Sequence, residues 1–302
     1  MSDFKIGLIT RNRAEALEST LLDLKKKGLL YEVIVLDGSD DKESESLCDD
    51  LDVEYYRQSS IGMTSARNEA LEHCDSEYIV FIDDDVRVSE SWYEAICEAF
   101  EEEDVVGVTG KLENEDLELG GFARKVRDFL FGGRDSFGEI KDNGVINGDF
   151  FYDERKQVDH MPGCNMAYHV PTLKEAGGFK EEYDVGNSYR EDTVASYLVG
   201  QEGRIVYEPE ASLEHLAVDE EGDRKKWMFY NPYLTKYFLS SNDVVSGLKG
   251  RLGYFVNKAA RHAYFLGRGL ANLDLMYRYY LYAEFRSFID FVIFDREPRE
   301  HV

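Results

Sequence analysis

The chain is short of positive charge. Its 302 residues hold 35 Lys+Arg against 61 Asp+Glu, a formal net charge of −26. That excludes a general nucleic-acid binder, which needs a basic footprint for the phosphate backbone. Cysteine is scarce: Cys48, Cys74, Cys97 and Cys164 show no CxxC or Cys/His cluster spacing. The expectation is four reduced, mostly buried thiols rather than a disulfide framework. No run approaches 18 uncharged apolar residues, so no membrane-crossing helix is expected. The opening MSDFKIGLIT is strand-like and carries no signal-peptide pattern, which places the protein in the cytoplasm as an expectation. No GxGxxG follows the first apolar run and no GxxxxGK[ST] occurs anywhere, so a bound phosphate has to be held by a metal or by arginine. There is no internal repeat and no low-complexity segment.

What is present excludes a disordered acidic chain, because 43% of residues are hydrophobic and 13% aromatic. The length suits one large domain or two modest ones. Surplus surface carboxylate is a device of proteins kept soluble in strong salt, so a halophilic cytoplasm is the leading expectation and an acidic outlier the plain one. The charge is uneven. Residues 1–223 carry 22 Lys+Arg against 54 Asp+Glu, whereas 224–302 carry 13 against 7 and 18 of the 40 aromatics.

Strand and helix signals alternate through the first 110 residues. Phe4–Thr10, Tyr31–Leu36, Val53–Arg57, Tyr78–Ile82 and Val105–Gly110 read as strands, with a helix carrying Leu17, Leu21 and Leu24 closed by Gly28. Residues 62–73 read as helix, and Ser89 as the cap of a helix over 90–102. This rhythm predicts an α/β fold with a mostly parallel sheet and helices on both faces. Beyond 111, long loops are expected over 132–149, extended chain over 160–170, a helix over 191–199 and a strand over 204–208.

Such sheets bind ligands at the carboxyl ends of their strands. Three strand ends here deliver polar or acidic residues: Thr10-Arg-Asn-Arg13, Asp37-Gly-Ser-Asp-Asp41 and Asp83-Asp84-Asp85. Clustered carboxylates repel unless a cation lies among them, and a hard divalent ion is the natural one. The plain reading is an acidic turn. Asp37 suits a nucleoside base or ribose, or an ordinary Asp-Gly-Ser turn. Arg67 suits a nucleotide, or is a solvated helical arginine.

Taken together, TRNR, VIVLDGSDD, GMTSARNEAL, YIVFIDDDV, GCNMAYHV and REDTV, in that order, resemble family 2 glycosyltransferases of GT-A fold over about residues 4–216. The resemblance implies a nucleotide-diphosphate sugar donor, Mg²⁺ or Mn²⁺, and inversion at the anomeric carbon. It places Thr10 and Arg13 at the nucleoside pocket, Asp37 at the base and Arg67 in the GxxxARN segment. It puts Asp83 and Asp84 on the ribose and metal side of a DxD motif, with Asp85 as principal metal ligand. Asp192 matches the catalytic base of an "ED" motif, and His215 a histidine near metal or diphosphate. The segment before that motif is SYRED rather than Gly-Glu-Asp. No QxxRW follows, which argues against a processive polysaccharide synthase. Without the resemblance, Asp192 reads as a helix N-terminal acid and His215 as a strand-end histidine. The implied division is 1–110 for nucleotide sugar, 111–223 for acceptor and 224–302 as a helical extension. The acidity further suggests a haloarchaeal member, and the resemblance extends to sugar transferases of N-glycosylation or S-layer pathways.

The basic, aromatic tail suits an anionic membrane interface, so peripheral contact with the cytoplasmic face and a polyprenyl- or dolichyl-phosphate acceptor are expected, with a glycan acceptor as the other choice. The alternative is a helical hairpin whose aromatics form core or a homodimer interface. Two other functions are weighed: a sugar-nucleotide pyrophosphorylase, whose GxGTRL-type loop is missing here, and a non-catalytic scaffold subunit.

Overall fold

The computed structural model describes residues 4–113, 121–216, 221–272 and 277–301. Residues 273–276 and 302 of the basic tail lie outside them. The chain divides into two compact units.

Unit 1 comprises residues up to 116, 149–181 and 191–217, and holds the whole sheet. Its strands are β1 (Phe4–Thr10), β2 (Val33–Asp37), β3 (Glu54–Arg57), β4 (Tyr78–Asp83), β5 (Val86–Val88), β6 (Val105–Glu113), β7 (Lys156–Val158), β8 (Asn165–His169) and β9 (Arg204–His215). The order is β3-β2-β1-β4-β8-β6-β9-β5, with β7 on β9. From β3 to β4 all pairs are parallel, and β6 runs parallel to β9; β8, β5 and β7 pair antiparallel. The α/β expectation is met. β2 is buried at every position, as its unalternating Val-Ile-Val-Leu requires of a covered strand. Leu17, Leu21 and Leu24 are buried on helix Ala14–Lys26, and Gly28 follows it at φ +73°. All four cysteines are free, two buried and two half-buried.

Three local expectations need correction. Tyr31 is 68% exposed, and Leu30–Glu32 forms a 3₁₀ turn, so β2 starts at Val33. Ser89 caps nothing: its N–H donates to Ser212 O at 2.9 Å and prolongs the β5–β9 ladder, while the helix begins at Trp92. The strand expected over 204–208 runs on to His215. That run depends on a bulge in which Gly110 faces Glu208 and Leu112 already faces Leu213. A Cβ on Gly110 would lie 1.8 Å from Ala211 O, so only glycine permits this approach.

Unit 2 comprises 117–148, 182–190 and 218–302. Its helices are Gly121–Phe131, Glu221–Ser241, Gly247–Asn272 and Tyr277–Ser287, the last running into a π-helical turn, Phe288–Ile293. Phe229, Tyr230, Tyr233 and Phe238 are fully buried. Part of the tail's aromatic content is therefore core. The π-helical turn buries Asp290 completely, where it accepts from Tyr233 Oη at 2.9 Å, Arg299 at 2.8 Å and Arg286 at 3.2 Å. No described helix is long and apolar enough to cross a membrane.

Candidate active site

The order of strands reverses at β1, which pairs β2 on one side and β4 on the other. Their carboxyl ends open there, and Ile9 lies opposite Asp83. Thr10 closes β1 and Asp83 closes β4; Asp84 and Asp85 fill the tight link to β5. Asp84 is 3% exposed, and its oxygens accept from Thr10 Oγ1 and Arg13 Nη1, both at 2.7 Å. Burial dominates and pushes Asp84 up to about 6. Arg13 also reaches Asp85 Oδ2 at 2.5 Å, so its guanidinium spans both carboxylates. Thr20, which the sequence reading passed over, pins the link by donating to Asp84 O at 2.8 Å.

His215 arrives from β9. Val86 faces it in antiparallel register, and Leu216 N donates to Asp85 O at 2.7 Å. Its Nε2 lies 3.3 Å from Asp83 Oδ2 and 3.2 Å from Asp85 Oδ1. These contacts raise the imidazole to about 10. Burial would raise Asp85, yet His215 and Arg13 outweigh it and hold the acid at about 2. Asp85 Oδ1 is buried and accepts no hydrogen bond among the described residues. One ligand atom each from Asp83, Asp85 and His215 falls within 4.8 Å of the others. Two carboxylates and an imidazole converge there, and once the imidazole gives up its proton the three fit a divalent cation of the Mg²⁺ or Mn²⁺ type.

Asp37, at the end of β2, is fully buried. It accepts from Ser39 N at 2.7 Å, from the Ser39 hydroxyl and from Tyr55 Oη at 2.9 Å, the Asx turn of the plain reading.

Asp192 is the second residue of helix Glu191–Val199 and is half-buried. Gly163 N donates to its Oδ2 at 3.0 Å and Thr193 N to its Oδ1 at 2.6 Å. Arg67 is 3% exposed, ion-paired to Glu191 and donating to Gly163 O at 3.1 Å. Its guanidinium lies 5.5 Å from the centre of the Phe179 ring and 5.8 Å from that of Phe81. One buried cation thus holds both the residue before Asp192 and the loop that hydrogen-bonds Asp192. Glu191 escaped the sequence reading, although its place beside Asp192 was visible. Burial pushes Glu191 up to about 7 despite Arg67. The folded state then keeps a proton that the unfolded chain releases near the ordinary Glu value, so this group's stabilising contribution is full at low pH and fades as pH climbs through about 7. The melting temperature of the native protein, measured relative to Glu191→Gln, should fall between about pH 4.5 and about pH 7; parallel curves would contradict this.

A sequence model of the family described as Glycosyl transferase family 2 matches residues 6–169. No curated protein matches by sequence. Among solved structures, the chain is similar to the mannosyltransferase PcManGT from Pyrobaculum calidifontis, in complex with GDP-Man and Mn²⁺. That likeness has 15% identity and TM-score 0.61, over 98% of this chain and 88% of that one. It is also similar to GalNAc-T7 with UDP, GalNAc and Mn²⁺, at 13% identity and TM-score 0.58, over 85% of this chain and 55% of that one. A third likeness, to S. aureus TarS 1-349, has 14% identity and TM-score 0.53, over 83% of this chain and 71% of that one. At these identities the likeness is one of fold.

Proposed function

The chain belongs to glycosyl transferase family 2, and from that premise we propose an inverting, metal-dependent transfer of a sugar from a nucleotide-diphosphate donor to a lipid-linked or glycan acceptor. The observation that carries this reading is the meeting of Asp83, Asp85 and His215 beyond the end of β4. These three would hold the ion, with Asp85 as principal ligand. Mg²⁺ or Mn²⁺, when bound, supplies positive charge against the charge developing on a departing diphosphate. Arg13, with 44% of its side chain exposed while it spans Asp84 and Asp85, would share a phosphate. Thr10 holds Asp84 through its hydroxyl, and Asp37, Asp83 and Asp84 would form the nucleoside side of the site. Arg67, expected at the nucleotide, would instead act from its buried place beside Glu191 by holding the segments around Asp192.

Asp192 would take the proton of the acceptor hydroxyl. Thr193 N and the Thr193 hydroxyl both donate to Oδ1, whereas Oδ2 accepts only from Gly163 N among the described residues and would be the oxygen left for that hydroxyl. A positioned base of this kind contributes about 10²–10⁴-fold. The acceptor is proposed to be a polyprenyl or dolichyl phosphate, reached from the cytoplasmic membrane face through 224–302. The net charge of −26 supports a halophilic, haloarchaeal setting, within which a glycosylation or S-layer pathway is proposed.

The test is a panel of UDP-, GDP- and dTDP-sugars with Mn²⁺ in molar salt, read by melting temperature and donor hydrolysis. One base should raise the melting temperature, because a ligand of the folded state stabilises it. A folded protein that neither responds to nor hydrolyses any donor would favour the non-catalytic scaffold.

A further inference from the structure

Unit 2 concentrates the exposed apolar surface. Among the described residues of unit 1 only Leu22, Tyr31 and Ile61 are large, apolar and exposed, whereas unit 2 has more than a dozen. They follow helical spacing. On helix Gly247–Asn272, Leu248 is 87% exposed, Leu252 63%, Phe255 68% and Val256 52%, and the stripe continues through exposed Ala259, Ala263 and Leu266. A second stripe, Leu281, Phe285, Phe288 and Val292, runs along the following helix and its π-helical turn, also exposed. Beside the first stripe an apolar groove of about 420 Å³ opens between helices Gly121–Phe131 and Gly247–Asn272, lined by Phe129, Ala260 and Ala263.

Charge identifies the occupant. The 26 residues of helix Gly247–Asn272 contain five Lys or Arg and no Asp or Glu, in a chain with 61 carboxylates. Lys249 and Arg251 are exposed and adjoin Leu248 and Leu252 in the chain. An isologous dimer through this face would set the same basic helix against itself. An anionic lipid surface satisfies both halves of the pattern: apolar side chains enter the acyl boundary while Lys and Arg meet the headgroups.

We infer that the stripe Leu248–Leu252–Phe255–Val256, with its flanking Lys249 and Arg251, docks this protein on an anionic bilayer. The inference deepens the reading of 224–302 given above, and rests on it for the kind of acceptor. The full chain should cosediment with phosphatidylcholine vesicles containing about 30 mol% phosphatidylglycerol, and at least tenfold less with phosphatidylcholine alone. The preference should shrink between about 0.1 M and about 1 M NaCl, as screening shortens the reach of charge. Leu252→Glu/Phe255→Glu and Lys249→Glu/Arg251→Glu should each weaken partitioning at least tenfold. Both pairs are exposed, so the melting temperature and its rise with Mn²⁺ and donor should be retained. Leu22→Glu, on unit 1, should change nothing. The inference falls if the full chain stays in solution, if the variants sediment like the parent, or if they only convert a dimer to a monomer. Vesicle binding by a protein that responds to no donor would uphold docking and remove the transferase reading.

Discussion

Replacing Asp192 with Asn is expected to lower kcat by about 10²–10⁴-fold and to leave donor binding in place. The substitution keeps shape and Oδ1, so Thr193 N retains its acceptor. The new amide NH₂ can turn toward Gly163 N, two donors face to face, which costs about 1–3 kcal/mol of local stability. That cost is small beside the loss of a proton acceptor, because an amide cannot take the acceptor hydroxyl's proton at neutral pH. The KM for the donor should therefore move little while kcat collapses. Single-turnover transfer with saturating donor and Mn²⁺, together with a melting curve, reads both. Turnover within tenfold of the parent, in a folded variant, would remove Asp192 from the role of base.

The second large effect belongs to Asp85. In Asp85→Asn, the rise in melting temperature on adding Mn²⁺ should vanish, and kcat should fall about 10²–10³-fold, the usual result of deleting a group that stabilises developing charge. A ligand at 100 times its Kd stabilises by about 2.7 kcal/mol, so its loss is easy to read. Folding itself should survive. Arg13 gives up one partner but keeps Asp84 at 2.7 Å, and it is partly open to water. The buried Oδ1 that faces His215 without a hydrogen bond would no longer carry charge. An undiminished Mn²⁺ response in this variant would show that the ion sits elsewhere. His215→Ala should weaken the same response.

Much of the sheet was legible because covered strands leave a plain mark. Val33–Leu36 and Tyr78–Ile82 are unbroken apolar runs, and each is followed directly by acids at the carboxyl edge of the sheet. The DDD cluster drew notice because carboxylates crowded at a strand end repel unless a cation lies among them, and the structure brings Asp83 and Asp85 together with His215. What stayed hidden was long-range pairing. Val86–Val88 is three residues after an acidic turn, too short for any period to show, and it becomes a strand only because the far end of β9 lies beside it. His215 could be proposed from a resemblance, but its approach to Asp85 is a property of that pairing. Arg67 illustrates another limit. A lone arginine in a helix reads as solvated or ligand-binding, and nothing local tells that Glu191, 124 residues on, will bury it.

The bulge at Gly110 carries a consequence for how preparations of this protein behave. Side chains alternate along a strand, so sliding β9 by one residue past the bulge would turn His215 to the opposite face of the sheet. The same slip would turn buried Leu213 outward and Glu214 inward, so it would cost core packing together with the place of His215. Under the proposed ion site, strand alignment and ion capacity would be one property, and Mn²⁺ binding would report correctly aligned chains. Adding Mn²⁺ during refolding would then favour the alignment that binds it, because a ligand of the folded state stabilises that state.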